Sequence, residues 1–132
     1  MKKIECAVLL LLCFISSQAH ATTIVTIENK TDFTCKLEAK NLKYGILLTY
    51  PPLRIHHDEL WWFSITSGRI SGSEIELTYD CNGQKINIHC EESLLLGTAS
   101  AMLIHADPGI TGTYKIKHAW DFETIQWVIS KN

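Results

Sequence analysis

Residues 75–90 read Ile75-Glu76-Leu77-Thr78-Tyr79-Asp80-Cys81-Asn82-Gly83-Gln84-Lys85-Ile86-Asn87-Ile88-His89-Cys90. Two runs of alternating apolar and polar residues flank Asn82-Gly83. That dipeptide favours a two-residue type I′ turn, whose central residues both need positive φ. A two-residue loop pairs residues whose numbers sum to 165, so Ile75 meets Cys90, Leu77 meets Ile88 and Tyr79 meets Ile86. All six apolar residues then share one face. A slip of one residue would turn them to the other face, so the register is well specified.

Working outward, the flanking chain carries the same β signals. Thr23–Glu28 is rich in Ile, Val and Thr, and Asn29-Lys30-Thr31-Asp32 has turn chemistry. Phe33, Cys35, Leu37 and Ala39 alternate with polar residues, the period of a half-buried strand. Lys43–Tyr50 is apolar and stops at Pro51-Pro52. In the strand Leu60–Thr66, alternation puts Trp61, Phe63 and Ile65 on the core face and Leu60 and Trp62 on the other. Ser67–Ser73 is a Gly/Ser turn region, and Leu94–Leu96 is an apolar run broken by Gly97. Thr98–Ala106, Thr113–His118 and Thr124–Ser130 complete the strands, with Asp107-Pro108-Gly109 as a turn. About eight short strands at this spacing predict an all-β, single-domain antiparallel β-sandwich.

The first 21 residues read differently. Lys2 and Lys3 precede an apolar run, Ala7 to Ile15, and Ala19-His20-Ala21 offers small residues at the −3 and −1 positions. This is the pattern of a cleaved secretory signal peptide, compact enough to look bacterial. The run is too short to span a bilayer, and no later stretch approaches transmembrane length. Leu12 stands before Cys13 where a lipobox needs a small residue, which argues against a lipid anchor. The expected product is exported, secreted or periplasmic, and comprises residues 22–132. It carries 10 basic and 13 acidic residues. With no basic patch, nucleic acid is not an expected partner.

Cys35, Cys81 and Cys90 remain after cleavage, an odd number in an oxidising compartment. The hairpin register places Cys81 and Cys90 about 20 Å apart along the strands. A bridge needs Cα atoms within about 7 Å, so these two should not join. Cys35 faces inward and can pair with Cys90 or Cys81 across the core; the reading favours Cys35–Cys90. The alternative is three buried thiols acting as small hydrophobes.

No catalytic constellation is visible: no nucleophile elbow, zinc-protease pair or phosphate loop. Neither a catalytic residue nor a cofactor or metal ligand is expected. His56-His57-Asp58-Glu59 is the densest cluster of metal-capable residues, but adjacent side chains diverge, so it reads as a polar turn. His89, His105 and His118 read as single strand-face residues, and Glu74 with Glu76 and Glu91 with Glu92 as surface acids. Asn29-Lys30-Thr31 is a glycosylation sequon, relevant only in a glycosylating host. The aromatics carry more. Trp62 on the non-core face, Trp120 and Phe122 in an inter-strand loop, and Tyr50 could together line a surface for membrane lipid or a partner protein.

Ile27-Glu28-Asn29-Lys30-Thr31-Asp32-Phe33, Tyr44-Gly45, Pro51-Pro52-Leu53-Arg54-Ile55, Ser67-Gly68, Gly72-Ser73-Glu74 with Thr78-Tyr79, and Asp107-Pro108-Gly109 with Gly112 and Tyr114 follow one another along the chain. In that order they resemble the aegerolysins, small acidic β-sandwich proteins of fungi and bacteria. Ile75 stands where the family carries a second Gly. The resemblance implies a β-sandwich that binds membrane lipid, in some members with a larger pore-forming partner; it transfers no lipid-site residue. Separately, Tyr79-Asp80-Cys81-Asn82-Gly83 resembles the Tyr-x-Cys-x-x-Gly motif of periplasmic C-type lysozyme inhibitors, with Gly83 one position early.

Overall fold

The computed structural model describes residues 22–68, 71–93, 97–119 and 122–132. Its strands are β1 (Thr22–Asn29), β2 (Cys35–Tyr44), β3 (Ile46–Thr49), β4 (Arg54–Ile55), β5 (Leu60–Thr66), β6 (Ser73–Cys81), β7 (Gln84–Glu92), β8 (Ala99–Ala106), β9 (Ile110–His118) and β10 (Glu123–Lys131). They form two five-stranded sheets, β3-β5-β1-β10-β9 and β4-β2-β6-β7-β8. The β-sandwich expected from the sequence is the fold observed. One pairing departs from the antiparallel pattern: β1 and β10 run parallel, with Thr23 beside Glu123 and Asn29 beside Ile129.

The hairpin read from residues 75–90 has the expected register, including Ile75↔Cys90, Leu77↔Ile88 and Tyr79↔Ile86. Asn82 and Gly83 have φ of 55° and 86°, as the turn requires. Its apolar face meets Val25, Ile27, Phe63, Ile65, Ile125, Trp127 and Ile129 from the other sheet to make the core. The indole N–H of Trp127 donates to the Cys90 sulfur across that core, at 3.3 Å. Burial pushes the Cys90 thiol up to about 12, so it stays neutral.

The disulfide joins Cys35 to Cys81, not to Cys90. The sequence does not reveal that β2 lies beside β6. That neighbourhood makes Cys35 and Cys81 direct cross-strand partners, 4.1 Å apart at Cα, while Cys90 is on β7. Three further expectations need correction. A register shift between Leu37 and Ala39 turns Ala39 away from the core. The Lys43–Tyr50 segment is two strands, split at Gly45 (φ 94°), where the chain crosses between sheets. A Cβ at Gly45 would lie 2.7 Å from the Thr66 carbonyl oxygen, so the position excludes any side chain. Phe33 is exposed in the loop before β2 rather than in the core.

Polar groups fix both ends of the sandwich. At one end Asn29 is fully buried. Its side-chain amide donates to the carbonyls of Phe33 and Ile55, and its oxygen accepts from the Thr31 backbone N–H and hydroxyl. The sequon is therefore internal structure, and its amide is inaccessible in the folded protein. At the other end Glu92, read from sequence as a surface acid, is 2 % exposed and accepts a hydrogen bond from the Thr23 hydroxyl of the opposite sheet. Burial first, and then the charge of Glu123, push its carboxyl up to about 7.

Two measurements test this frame. Cys81→Ala should lose the bridge and about 4 kcal/mol of stability in urea unfolding, from the loop-closure entropy of a 46-residue separation. Cys90→Ala should keep the bridge, and the opposite pattern would refute the pairing. Glu92 keeps its proton to about pH 7 when folded, but only to about 4.5 when unfolded. The folded state then binds more protons in that window, so stability falls as pH rises through it. Glu92→Gln should abolish that part of the decline, and an unchanged pH profile would show the carboxyl to be ordinary.

Candidate surface-binding site

Eight of the thirteen large hydrophobic side chains that are exposed among the described residues fall within residues 44–62: Tyr44, Ile46, Leu48, Tyr50, Leu53, Leu60, Trp61 and Trp62. They belong to the end of β2, to β3, to the connection through β4 and to the start of β5. β3 is an edge strand, hydrogen-bonded only to β5, and a bulge between Leu47 and Thr49 interrupts that pairing. This side of the sandwich is thus rich in exposed apolar side chains, with Trp62 on the outer face of one sheet and Tyr44, opposite Glu74, on the outer face of the other.

Trp62 is 52 % exposed on the outer face of its sheet, in a row with Thr26 and Gln126. Among the described residues no second layer covers that face. Trp61 corrects the sequence expectation. Its partner Ile27 is a core residue, so alternation assigns the face rightly. The core nevertheless does not extend over this end of β5: Trp61 is 49 % exposed, and its indole N–H donates to Glu59 at 2.8 Å. That bond first, and the His56 backbone N–H second, hold the Glu59 carboxyl below its usual range.

Tyr50 and Leu53 are the most exposed of the group. Tyr50 follows Thr49, the partner of Ser64, so it leaves the sheet alongside the strand that carries Trp62. The Lys40 ammonium sits 4.9 Å above its ring centroid, a cation–π contact. The segment between them is firmly held. Pro51 and Pro52 fix the backbone φ. The Tyr79 hydroxyl donates to the Pro52 carbonyl at 2.8 Å, and the Leu37 N–H to the Leu53 carbonyl at 2.8 Å. Burial pushes the Tyr79 phenol pKa up, so this donor is not lost at physiological pH. The exposed side chains are thereby presented on a fixed backbone, which lowers the entropy cost of binding.

The structure does not unite all four residues named from sequence. Tyr50 and Trp62 lie on the same edge. Phe122 precedes β10 at the other end of the sandwich, about 13 Å along and about 10 Å across from Trp62 by strand spacing. Trp120 lies outside the described residues, as do Arg69, Ile70 and Leu94–Leu96. Ile46, Leu48, Leu53 and Leu60 were not anticipated. For Ile46 and Leu48 the signal is the run Tyr44–Tyr50, too apolar for a strand with one wet face; Leu53 and Leu60 carry no comparable signal.

The polar candidates separate as well. His56 and His57 reach different partners, Thr34 and the Thr31 carbonyl, in an exposed turn where Asp58 has φ 62°. His105 and His118 are exposed, each beside a carboxylate. His89, by contrast, is only 8 % exposed. Two hollows of about 370 and 280 Å³ flank Phe33 near the Cys35–Cys81 bridge. Among the described residues no helix is long and apolar enough to cross a membrane.

Comparison with known proteins bears on the fold. No protein-family model matches the chain, and no curated sequence matches it. Solved structures do. The lipid binding protein Nakanori superposes with a TM-score of 0.74 over 97 % of this chain and 80 % of its own, at 10 % identity. IP-1A from Alcaligenes faecalis gives 0.66 over 86 % of this chain and 92 % of its own, at 13 % identity. At these identities the likeness is one of architecture.

If Tyr79 anchors the Pro52 segment, Tyr79→Phe should destabilise the protein by about 1 kcal/mol. Amide exchange should quicken selectively at Leu53–Ile55. Unchanged exchange there would show that the prolines alone hold the segment.

Proposed function

We propose that this protein is an exported, non-enzymatic binding protein of aegerolysin type that attaches to membrane lipid through the apolar β3–β5 edge. The observation that carries the reading is the concentration of exposed aromatic and aliphatic side chains at residues 44–62 on a rigid backbone. Tryptophan and tyrosine suit a bilayer interface, where an apolar ring and a polar tip are both satisfied. Lys40 and Arg54 flank the patch, and neither joins an ion pair among the described residues. They supply positive charge for lipid phosphates on a chain that is otherwise acidic. The architecture shared with a lipid binding protein supports the reading, and the Cys35–Cys81 bridge suits an oxidising compartment outside the cytoplasm.

The lysozyme-inhibitor alternative rests on a stretch that also has a structural role: Tyr79 is buried in the core, Cys81 is bridged, and Asn82-Gly83 makes the hairpin turn. The apolar side chains at residues 44–62 favour the lipid reading over it.

Co-sedimentation with liposomes of varied head-group composition tests the proposal. Tyr50→Ala and Trp62→Ala should each weaken partitioning about ten-fold, from lost apolar burial, without lowering the unfolding temperature. Phe122→Ala should leave it unchanged. Partitioning indifferent to Tyr50 and Trp62, or absent for every composition, would overturn the reading.

A further inference from the structure

The outer face of the other sheet carries a second constellation, independent of the apolar edge. We propose that Glu74, His89 and Glu91 bind a divalent transition-metal ion, with Glu76 orienting the imidazole. Glu74 and Glu91 are direct cross-strand partners on β6 and β7, and Glu76 and His89 are the next such pair but one. Like charges directly opposite each other destabilise a sheet unless something between them compensates.

The donor geometry suits an ion. His89 Nε2 lies 3.6 Å from a Glu74 oxygen and 3.2 Å from a Glu91 oxygen, and one donor atom from each residue falls within 4.8 Å of the others. Four-coordinate zinc with bonds of about 2.0–2.2 Å has donors about 3.3–3.6 Å apart. Three protein donors would leave a fourth position for water.

The second observation is the other ring nitrogen. The His89 side chain is nine-tenths buried, and Nδ1 is buried without a hydrogen-bond partner. Its nearest carboxylate oxygen, on Glu76, is 3.6 Å away. A buried polar atom in that state is costly. Metal-bound histidines commonly donate their second N–H to a carboxylate. With Nε2 on an ion, a small rotation would close Nδ1–H onto Glu76 and satisfy the orphaned atom.

Charge balance agrees. Lys43 is the cation beside this cluster, 3.5 Å from Glu74 and 3.4 Å from Glu76, whereas Glu91 accepts from the Ser100 hydroxyl. Three carboxylates against one ammonium leave an excess of negative charge around the imidazole, which suits a divalent cation.

Calorimetric titration of the chelator-stripped protein with zinc chloride tests the site. The expected result is one saturable site and a higher unfolding temperature with zinc. Because the buried His89 is a risky position to alter, Glu91→Gln is the principal variant; its carboxylate is half exposed. It should weaken zinc binding at least about ten-fold, and Glu76→Gln about ten-fold, as loss of an outer partner does. No saturable binding, or binding equal in Glu91→Gln and wild type, would overturn the assignment and leave an ion-pair ladder. Liposome partitioning should be unaffected by Glu91→Gln, so this proposal and the membrane reading fail separately.

Discussion

The parallel ladder between β1 and β10 is the constraint on which the rest of this structure depends. It joins residues a hundred positions apart, such as Thr23 and Glu123, at the centre of one sheet. A parallel pair cannot be closed by a tight turn, so everything between the two strands must travel out and back. That excursion builds the whole second sheet. It also hangs β5 and β3 on one side of the ladder and β9 on the other. The strands of the apolar edge thus hang on a ladder between residues a hundred positions apart, and long-range parallel pairings of this kind are intrinsically slow to form.

Local information in the sequence was strong and global information weak. The 75–90 hairpin was legible in full, because an Asn-Gly turn and two alternating runs leave one consistent register. The cysteines were not, because pairing depends on which strand lies beside β2, and no local pattern states that. Trp61 shows the same limit in another form. Alternation identifies a face, but whether the opposite sheet extends far enough to cover it is a property of the assembled sandwich. Glu92 and His89 depart in the converse direction: Glu92 is covered by groups of the distant β1 and β10, and His89 is enclosed between the adjoining β6 and β8. Of the candidate surface, Tyr50 and Trp62 were recoverable because large aromatics beside Pro-Pro and at non-core parity are unusual. The aliphatic members were hidden, since an apolar run reads equally well as core.

Buried polar contacts complement the apolar core here. Asn29 ties the β1–β2 turn to β4, Tyr79 ties the core to the Pro52 segment, and Glu92 ties one sheet to the other through Thr23. Apolar packing tolerates small shifts, whereas a hydrogen bond lost in the interior does not. These contacts therefore fix where the loops sit, and a surface made of loop and edge-strand side chains inherits its shape from them.

The bulge in β3 has a consequence for self-association. An exposed apolar edge strand is a template onto which another chain can add, and proteins blunt such edges by shortening or kinking them. β3 is four residues long, and its ladder is broken between Leu47 and Thr49. It offers too little straight backbone for a foreign strand to extend the sheet. The edge is greasy in its side chains yet a poor partner in its main chain, so its apolar exposure does not by itself invite fibre-like growth.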